Sequence, residues 1–452
     1  MPGAERGPLQ QTESIRPQQV ERLQHLFLRP EFDLAVYDRI NDVRDQVEAP
    51  GGYRRLKEGA HAEIDQLPPD VIPRLMKRSA AVIEALPTTH SKGHLARDTV
   101  HLAELLHDPD VAGYDDVELV VGILGGTFHD IGNGIVDRSR ERGMISLHAE
   151  VGAWLFDFLG KDTVPLNLRT LTQYAIASHT RFDHDRSVMI EGNEVVRHPY
   201  DTKIVEGTMR GAALTRATCR TDLQNGGIQP ARHIPYAVRS GDIYLATGEL
   251  RERLADRSAN VAELFDREGK DGSILAYFRT VANNARTENR HTEGDTPYMK
   301  AMFADNVGDL DEFVDVVMST EPPRITTDVQ REAAARRFMD LCHLLEPGND
   351  IDPVLAMLKE DLSLLNVGDY NYWADGFCAL TDKIYPSYHK KMEKRVSVPP
   401  AFVDQRPPII QRMVTDVVDC ASGVVEAMDP RYLNEPRASH PDLMKVFAGL
   451  SQ

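Results

Sequence analysis

A largely apolar segment, "VELVVGILGGTF" at residues 117–128, leads directly into the polar pair His129-Asp130. Its aliphatic and aromatic side chains would supply buried surface on a helix. Gly125-Gly126 would let a second helix approach closely, because glycine has no side chain. Imidazole nitrogen and carboxylate oxygen are both good ligands for divalent cations. The segment therefore predicts a buried helix that ends either at a metal-binding pair of residues or at a buried histidine beside a helix-terminating aspartate.

Apolar residues recur three and four positions apart along most of the chain, which places them on one face of a helix. Besides the helix that ends at His129, this pattern predicts helices over residues 70–86, 94–106, 327–346, 351–365 and 407–430. Alternating strand-like runs are few, although residues 187–198 fit a small β-hairpin that turns at Gly192-Asn193. We therefore expect a mostly α-helical protein.

The distribution of apolar and charged residues divides the chain into four ranges. They are a flexible tail at residues 1–17, an N-terminal helical region at 18–89, a histidine-rich core at 90–245 and a helical C-terminal region at 246–452. The last boundary follows a change from apolar periodicity to charged sequence. The 452 residues are enough for a sizeable buried core.

The net charge and the spacing of the cysteines limit the binding partners and the cellular compartment that we expect for this protein. The net charge of -18 would repel an anionic membrane surface and extended nucleic acid. The four cysteines show no CxxC spacing, which is typical of reduced thiols. No apolar run approaches the roughly 18 residues that span a bilayer, and the N-terminus lacks the apolar stretch of a signal peptide. We expect a cytoplasmic protein without membrane or extended nucleic-acid partners, and leave homo-oligomerisation open.

The histidines are concentrated in one part of the chain. Eight of the sixteen lie between residues 90 and 184, about a fifth of the sequence. His94 lies on one predicted helix, His148 begins another and His179 ends a third. Helical bundles build metal sites from side chains on facing helices. The sequence therefore predicts that separate helices bring these histidines to the His129-Asp130 pair.

The order of these residues resembles the HD-domain superfamily of metal-dependent phosphohydrolases. The matching positions are, in chain order, His94, His129, Asp130, His148, His179 and Asp222. The segments "HDIGN" and "LHAEVGAWLF" are most similar to the multi-histidine branch that includes the HD-GYP phosphodiesterases, which share an "HDIGK" core and a later H-x-x-x-G helix. The resemblance covers residues 91–222. The GYP loop is absent, which weighs against cyclic di-GMP as the substrate.

The resemblance implies an HD-type helical bundle in which these six residues bind divalent metal ions, two in number, with Mn, Fe, Mg and Zn as candidates. Asp130 would bridge the two ions and is the expected catalytic residue. The implied reaction is hydrolysis of a small phosphorylated or nucleotide-like substrate, by a phosphohydrolase or a phosphodiesterase.

The sequence departs from the family pattern at two places. The lysine that follows "HDIG" in the family is Asn133 here, so a positive charge is missing at that position. Asn133 and Arg181 are the expected substrate-binding residues. The missing charge could be restored by Arg138, Arg140, Arg142 or Arg181. The closing "A-D-x-x-D" motif corresponds to "LTRATCRTDLQ", where Cys219 takes the first aspartate position and Asp222 the second. Asp222 could be the ligand, Cys219 could bind as a thiolate, or the segments do not correspond. We favour Asp222.

Two other functional classes remain open. An HD-type di-iron oxygenase uses the same kind of histidine and aspartate ligands to activate oxygen. A non-catalytic HD-type regulator would follow if the altered last motif had removed activity.

Overall fold

A computed structural model of the protein describes residues 30–85, 92–132, 148–180, 186–190, 193–197, 200–225, 296–304, 393–394 and 396–427. The predicted tail at residues 1–17 and the predicted helices over 327–346 and 351–365 lie outside these ranges. So do the proposed boundary at residue 246 and the two expected substrate-binding residues, Asn133 and Arg181.

Helices dominate the part of the chain that the structure describes, which confirms the prediction of a mostly α-helical protein. In chain order they are α1 (Pro30–Glu48), α2 (Gly52–His61), α3 (Val71–Ala85), α4 (Lys92–Leu105), α5 (Asp116–Phe128), α6 (His148–Gly160), α7 (Leu166–Ala177), α8 (Arg210–Asn225) and α9 (Pro408–Ala427). None of these described helices is both long and apolar enough to cross a membrane.

Two short strands lie between α7 and α8. They are β1 (Arg186–Ile190) and β2 (Asn193–Arg197), and they pair in antiparallel register, with Arg186 opposite Arg197 and Ile190 opposite Asn193. A π-helical turn at Lys203–Thr208 then leads into α8.

Helix α5 lies at the centre of the described structure. All twelve residues from Val117 to Phe128 are buried, because α2, α4, α7, α8 and α9 all pack against this helix. A helix that is apolar on every side is stable only when other elements enclose it. The Asp115 side chain caps the first turn by accepting a hydrogen bond from the Glu118 amide at 3.1 Å.

Helix α8 runs parallel to α5 at very close range, as the glycines of the sequence predicted. Methyl groups built at Gly122, Gly125 and Gly126 of α5 would meet, in order, Leu214, Thr215 and Thr218 of α8. At these contacts the residue numbers increase in the same direction along α5 and α8, so the two helices are parallel. Side chains on these glycines would push the helices apart.

Helix α9 shows that residues near the C-terminus pack onto this same core. It packs against α3, α4 and α5, and its buried face includes Met413, Val417 and Val424, which the apolar spacing predicted. Just before α9, Arg406 binds Asp116 at 3.1 Å and the Ala112 carbonyl at 2.6 Å. These contacts tie α9 to the beginning of α5.

The substitution Gly125→Ala should destabilise the protein, because the added methyl group overlaps the Thr215 hydroxyl oxygen. Overpacking of this kind costs about 1–3 kcal/mol, which would lower the thermal midpoint of unfolding. Gly207→Ala is the matched control, since nothing lies within 4 Å of a methyl group built there. Equal midpoints for the two variants would contradict the close packing of α5 on α8.

Candidate metal centre

Three helix ends meet at one point and carry the predicted metal-binding residues. His129 and Asp130 directly follow the last residue of α5, His148 is the first residue of α6, and His179 lies two residues beyond α7. Among the described residues, Asp130, His148 and His179 form a group that could hold a metal ion, with one ligand atom from each lying within 4.8 Å of the others.

The distances within this group would allow a metal ion to bind. His148 Nε2 lies 3.6 Å from Asp130 Oδ1, His179 Nε2 lies 3.5 Å from the same oxygen, and the two nitrogens are 3.1 Å apart. The circle through these three atoms has a radius of about 2.0 Å, which matches the roughly 2.0–2.2 Å that divalent zinc keeps from imidazole nitrogen and carboxylate oxygen. A single cation could therefore contact all three atoms with little movement of the side chains.

Hydrogen bonds to the backbone fix which ring nitrogen is available on two of the histidines. His129 Nδ1 donates to the Gly126 carbonyl at 2.9 Å, and His179 Nδ1 donates to the Ile176 carbonyl at 2.6 Å. Because a carbonyl oxygen only accepts hydrogen bonds, both Nδ1 atoms carry the proton. In the neutral rings, Nε2 then presents a lone pair, which is the form that binds a metal.

His129 approaches the second oxygen of the carboxylate. Its Nε2 lies 3.6 Å from Asp130 Oδ2, whereas His148 and His179 face Oδ1. The two carboxylate oxygens of Asp130 therefore face different histidines. Since His179 Nδ1 carries a proton, His179 Nε2 accepts the 3.1 Å hydrogen bond from His148 Nε2. His129 Nε2 faces Oδ2 with a lone pair, and a cation between these two atoms would make their approach favourable.

The cluster is shielded except along one edge. The side chains of His129 and His179 are 0% exposed, whereas Asp130 is 11% and His148 is 23% exposed. Solvent and a small molecule would therefore reach the cluster from the side on which His148 lies.

His94 and Asp222, the two other predicted ligands, lie on described helices, although their side chains fall outside the described residues. His94 is on the first turn of α4 and Asp222 is on the last turn of α8. The parallel register of α8 and α5 places Thr218 beside Gly126. One turn further along, the same register puts the backbone at Asp222 level with His129 and Asp130.

Cys219, the alternative ligand, is half-buried on α8 and does not belong to the group of Asp130, His148 and His179. Cys420 is buried on α9, and burial raises the pKa of its thiol to about 12. Within the described part of the chain neither cysteine forms a disulfide, as the sequence predicted.

The backbone at Gly132 brings α6 to the end of α5. A methyl group built there would overlap the His148 carbonyl oxygen and the Gly152 amide nitrogen. The reverse contact is also tight, since a methyl group on Gly152 would lie 3.0 Å from the His129 carbonyl oxygen. Only glycine at position 132 allows the first turn of α6, with His148, to lie against the turn that holds Asp130.

Sequence reasoning did not identify Glu118, which holds the opposite end of α5. Its carboxylate accepts hydrogen bonds from Lys57 Nζ at 3.0 Å and from the Gly211 amide at 2.6 Å. It thereby joins the beginnings of α5 and α8 to α2. Burial raises the pKa of Glu118 to about 7. The sequence signal that could have identified Glu118 is a charged residue within an otherwise apolar helix.

Comparison with known proteins adds no relative, since no protein-family model, no curated protein and no solved structure matches the chain.

The substitution Gly132→Ala should weaken metal binding, because the added methyl group would push the α6 backbone and His148 away from Asp130. We expect a loss of Mn²⁺ affinity of about 10–100-fold, the range found when support of a ligand is lost, measured by titration calorimetry. The control is Gly160→Ala at the other end of α6, where the nearest atom would lie at 3.5 Å. If both variants bind Mn²⁺ as the wild type does, the packing of Gly132 does not position His148.

Proposed function

We propose that the protein is an HD-type metal-dependent phosphohydrolase or phosphodiesterase. The observation that supports this most directly is the triangle of Asp130 Oδ1, His148 Nε2 and His179 Nε2, whose sides of 3.6, 3.5 and 3.1 Å fit a divalent cation. The mixture of nitrogen and oxygen donors suits borderline cations such as Zn²⁺, Mn²⁺ and Fe²⁺.

The two oxygens of Asp130 suggest a site for two ions. His148 and His179 would bind one ion with Oδ1, and His129 would bind the second with Oδ2. His94 and Asp222, from α4 and α8, are the proposed further ligands. A bound pair of divalent ions lowers the pKa of water and stabilises negative charge on phosphoryl oxygens.

The protein's own residues would control access and geometry. His129 and His179 are held by their backbone hydrogen bonds, so their Nε2 atoms keep a fixed direction and cost little reorganisation when an ion binds. The exposed edge at His148 would admit the phosphoester. Asn133 and Arg181, which follow Asp130 and His179 closely in the chain, are the proposed contacts to the substrate.

The decisive experiment combines metal analysis with activity. Protein purified without chelators should contain at least one equivalent of a divalent metal and should release phosphate from a generic phosphomonoester or nucleotide. Asp130→Asn should reduce turnover by more than the roughly 10–100-fold that loss of an outer-shell partner costs, because it removes the carboxylate shared by both sides of the site. His61→Gln, a change of an exposed histidine on α2, is the matched control and should leave metal content and turnover unchanged.

The same measurements distinguish the other two classes. Iron-dependent oxygen uptake without phosphate release would contradict the hydrolase proposal and support a di-iron oxygenase. A metal content below one ion per chain, with no turnover of nucleotides, cyclic dinucleotides or phosphomonoesters, would indicate a non-catalytic protein.

A further inference from the structure

A buried hydroxyl group next to the candidate metal centre has no hydrogen-bond partner within the described structure. It belongs to Thr127 of α5, which is 0% exposed, and its Oγ1 has no partner. An unsatisfied buried hydroxyl costs about 1–3 kcal/mol. Such a cost in a well-packed core calls for an explanation.

Other buried threonines on helices of this protein avoid that cost. Thr172, Thr215, Thr218 and Thr221 each donate to the carbonyl oxygen four residues earlier, at 2.8–3.0 Å. Threonine in a helix can choose between two rotamers, one of which makes this bond. Thr127 does not make this bond, although it lies on a helix and is equally buried.

Thr127 is placed to act on Asp130. The helical conformation of α5 continues through His129, with φ −60° and ψ −34°. Residues three apart on a helix lie on the same side, and side chains lean towards the N-terminus. On a continued helical turn, these directions would bring the Asp130 side chain back over the turn that contains Thr127. A hydroxyl at this place is a donor whose natural acceptor is a carboxylate oxygen.

We propose that Thr127 is a positioning residue for Asp130, whose carboxylate accepts a hydrogen bond from the Thr127 hydroxyl when a divalent cation is bound. This inference rests on the proposed metal site. In the metal-loaded protein the bond would fix the direction of the carboxylate between its histidine neighbours. Without the cation, the unsatisfied hydroxyl lowers the stability of the folded protein. Binding of the cation would remove this destabilisation.

The test uses Thr127→Val, which replaces the hydroxyl by a methyl group of nearly the same size. Binding of Mn²⁺ alone, and of Zn²⁺ in parallel, is measured by titration calorimetry on the full chain, together with the thermal midpoint of the metal-free protein. We expect the affinity to fall by about 10–100-fold, as for loss of an outer-shell partner. The metal-free midpoint should stay equal or rise, because the unsatisfied group is gone.

Two further variants separate positioning from packing. Thr127→Ser keeps the hydroxyl and should bind Mn²⁺ nearly as well as the wild type. Thr172→Val removes a hydroxyl of equal burial that bonds to its own helix on α7, and should leave the affinity unchanged.

The outcomes also separate this inference from the proposed function. If the wild type binds Mn²⁺ or Zn²⁺ and Thr127→Val binds equally well, Thr127 has no role and the metal site stands. The positioning role is also overturned if Thr127→Ser binds as weakly as Thr127→Val, because the hydroxyl alone would then not support binding. If the wild type binds neither ion, the proposed metal site falls and the inference falls with it.

Discussion

The burial of two helix ends is the constraint on which the candidate site depends. The last four carbonyl groups of a helix have no partner within it, and in a buried setting they need donors from elsewhere. At the end of α5 the His129 ring donates to the Gly126 carbonyl, and at the end of α7 the His179 ring donates to the Ile176 carbonyl. Each ring thus satisfies a helix end with Nδ1 and directs Nε2 to Asp130. The same hydrogen bond therefore caps the end of the helix and orients the ring nitrogen that could bind a metal ion.

The same helix ends shape the electrostatics. A helix carries roughly half a negative charge at its C-terminus, and both α5 and α7 end at the cluster, beside the Asp130 carboxylate. The N-terminus of α6, which begins at His148, brings the opposite partial charge to the same cluster, so two negative helix ends and one positive end meet beside the Asp130 carboxylate. At the other end of α5, Glu118 lies at the N-termini of α5 and α8 and accepts a hydrogen bond from the Gly211 amide. Burial outweighs this stabilisation and raises the pKa of Glu118 to about 7. The parallel arrangement of α5 and α8 therefore places Glu118 at one end of the helix pair and Asp130 at the other.

Sequence patterns were sufficient for α3, α4, α5 and α9. They also predicted the meeting of Asp130, His148 and His179. The ring nitrogen that each histidine directs to Asp130 was beyond such reasoning. It depends on a carbonyl three residues earlier becoming buried at a helix end. The tight contact at Gly132 was also unpredictable in detail, since it requires α6 to return against a turn that lies sixteen residues earlier in the chain. Glu118 and Thr127 are polar residues in an apolar helix, and only their burial shows that they need partners.

These features couple metal binding to the stability of the fold. Without a cation, the described structure holds a buried Thr127 hydroxyl without a hydrogen-bond partner, which opposes folding. Any ligand that binds only the native state stabilises it in proportion to the logarithm of its concentration over Kd. The elements that gain most are those whose positions depend on the cluster, namely the turn after α5 and the first turn of α6, which meet at Gly132. Because His148 at that junction is also the most exposed member of the cluster, ion binding would stabilise the solvent-exposed edge of the cluster.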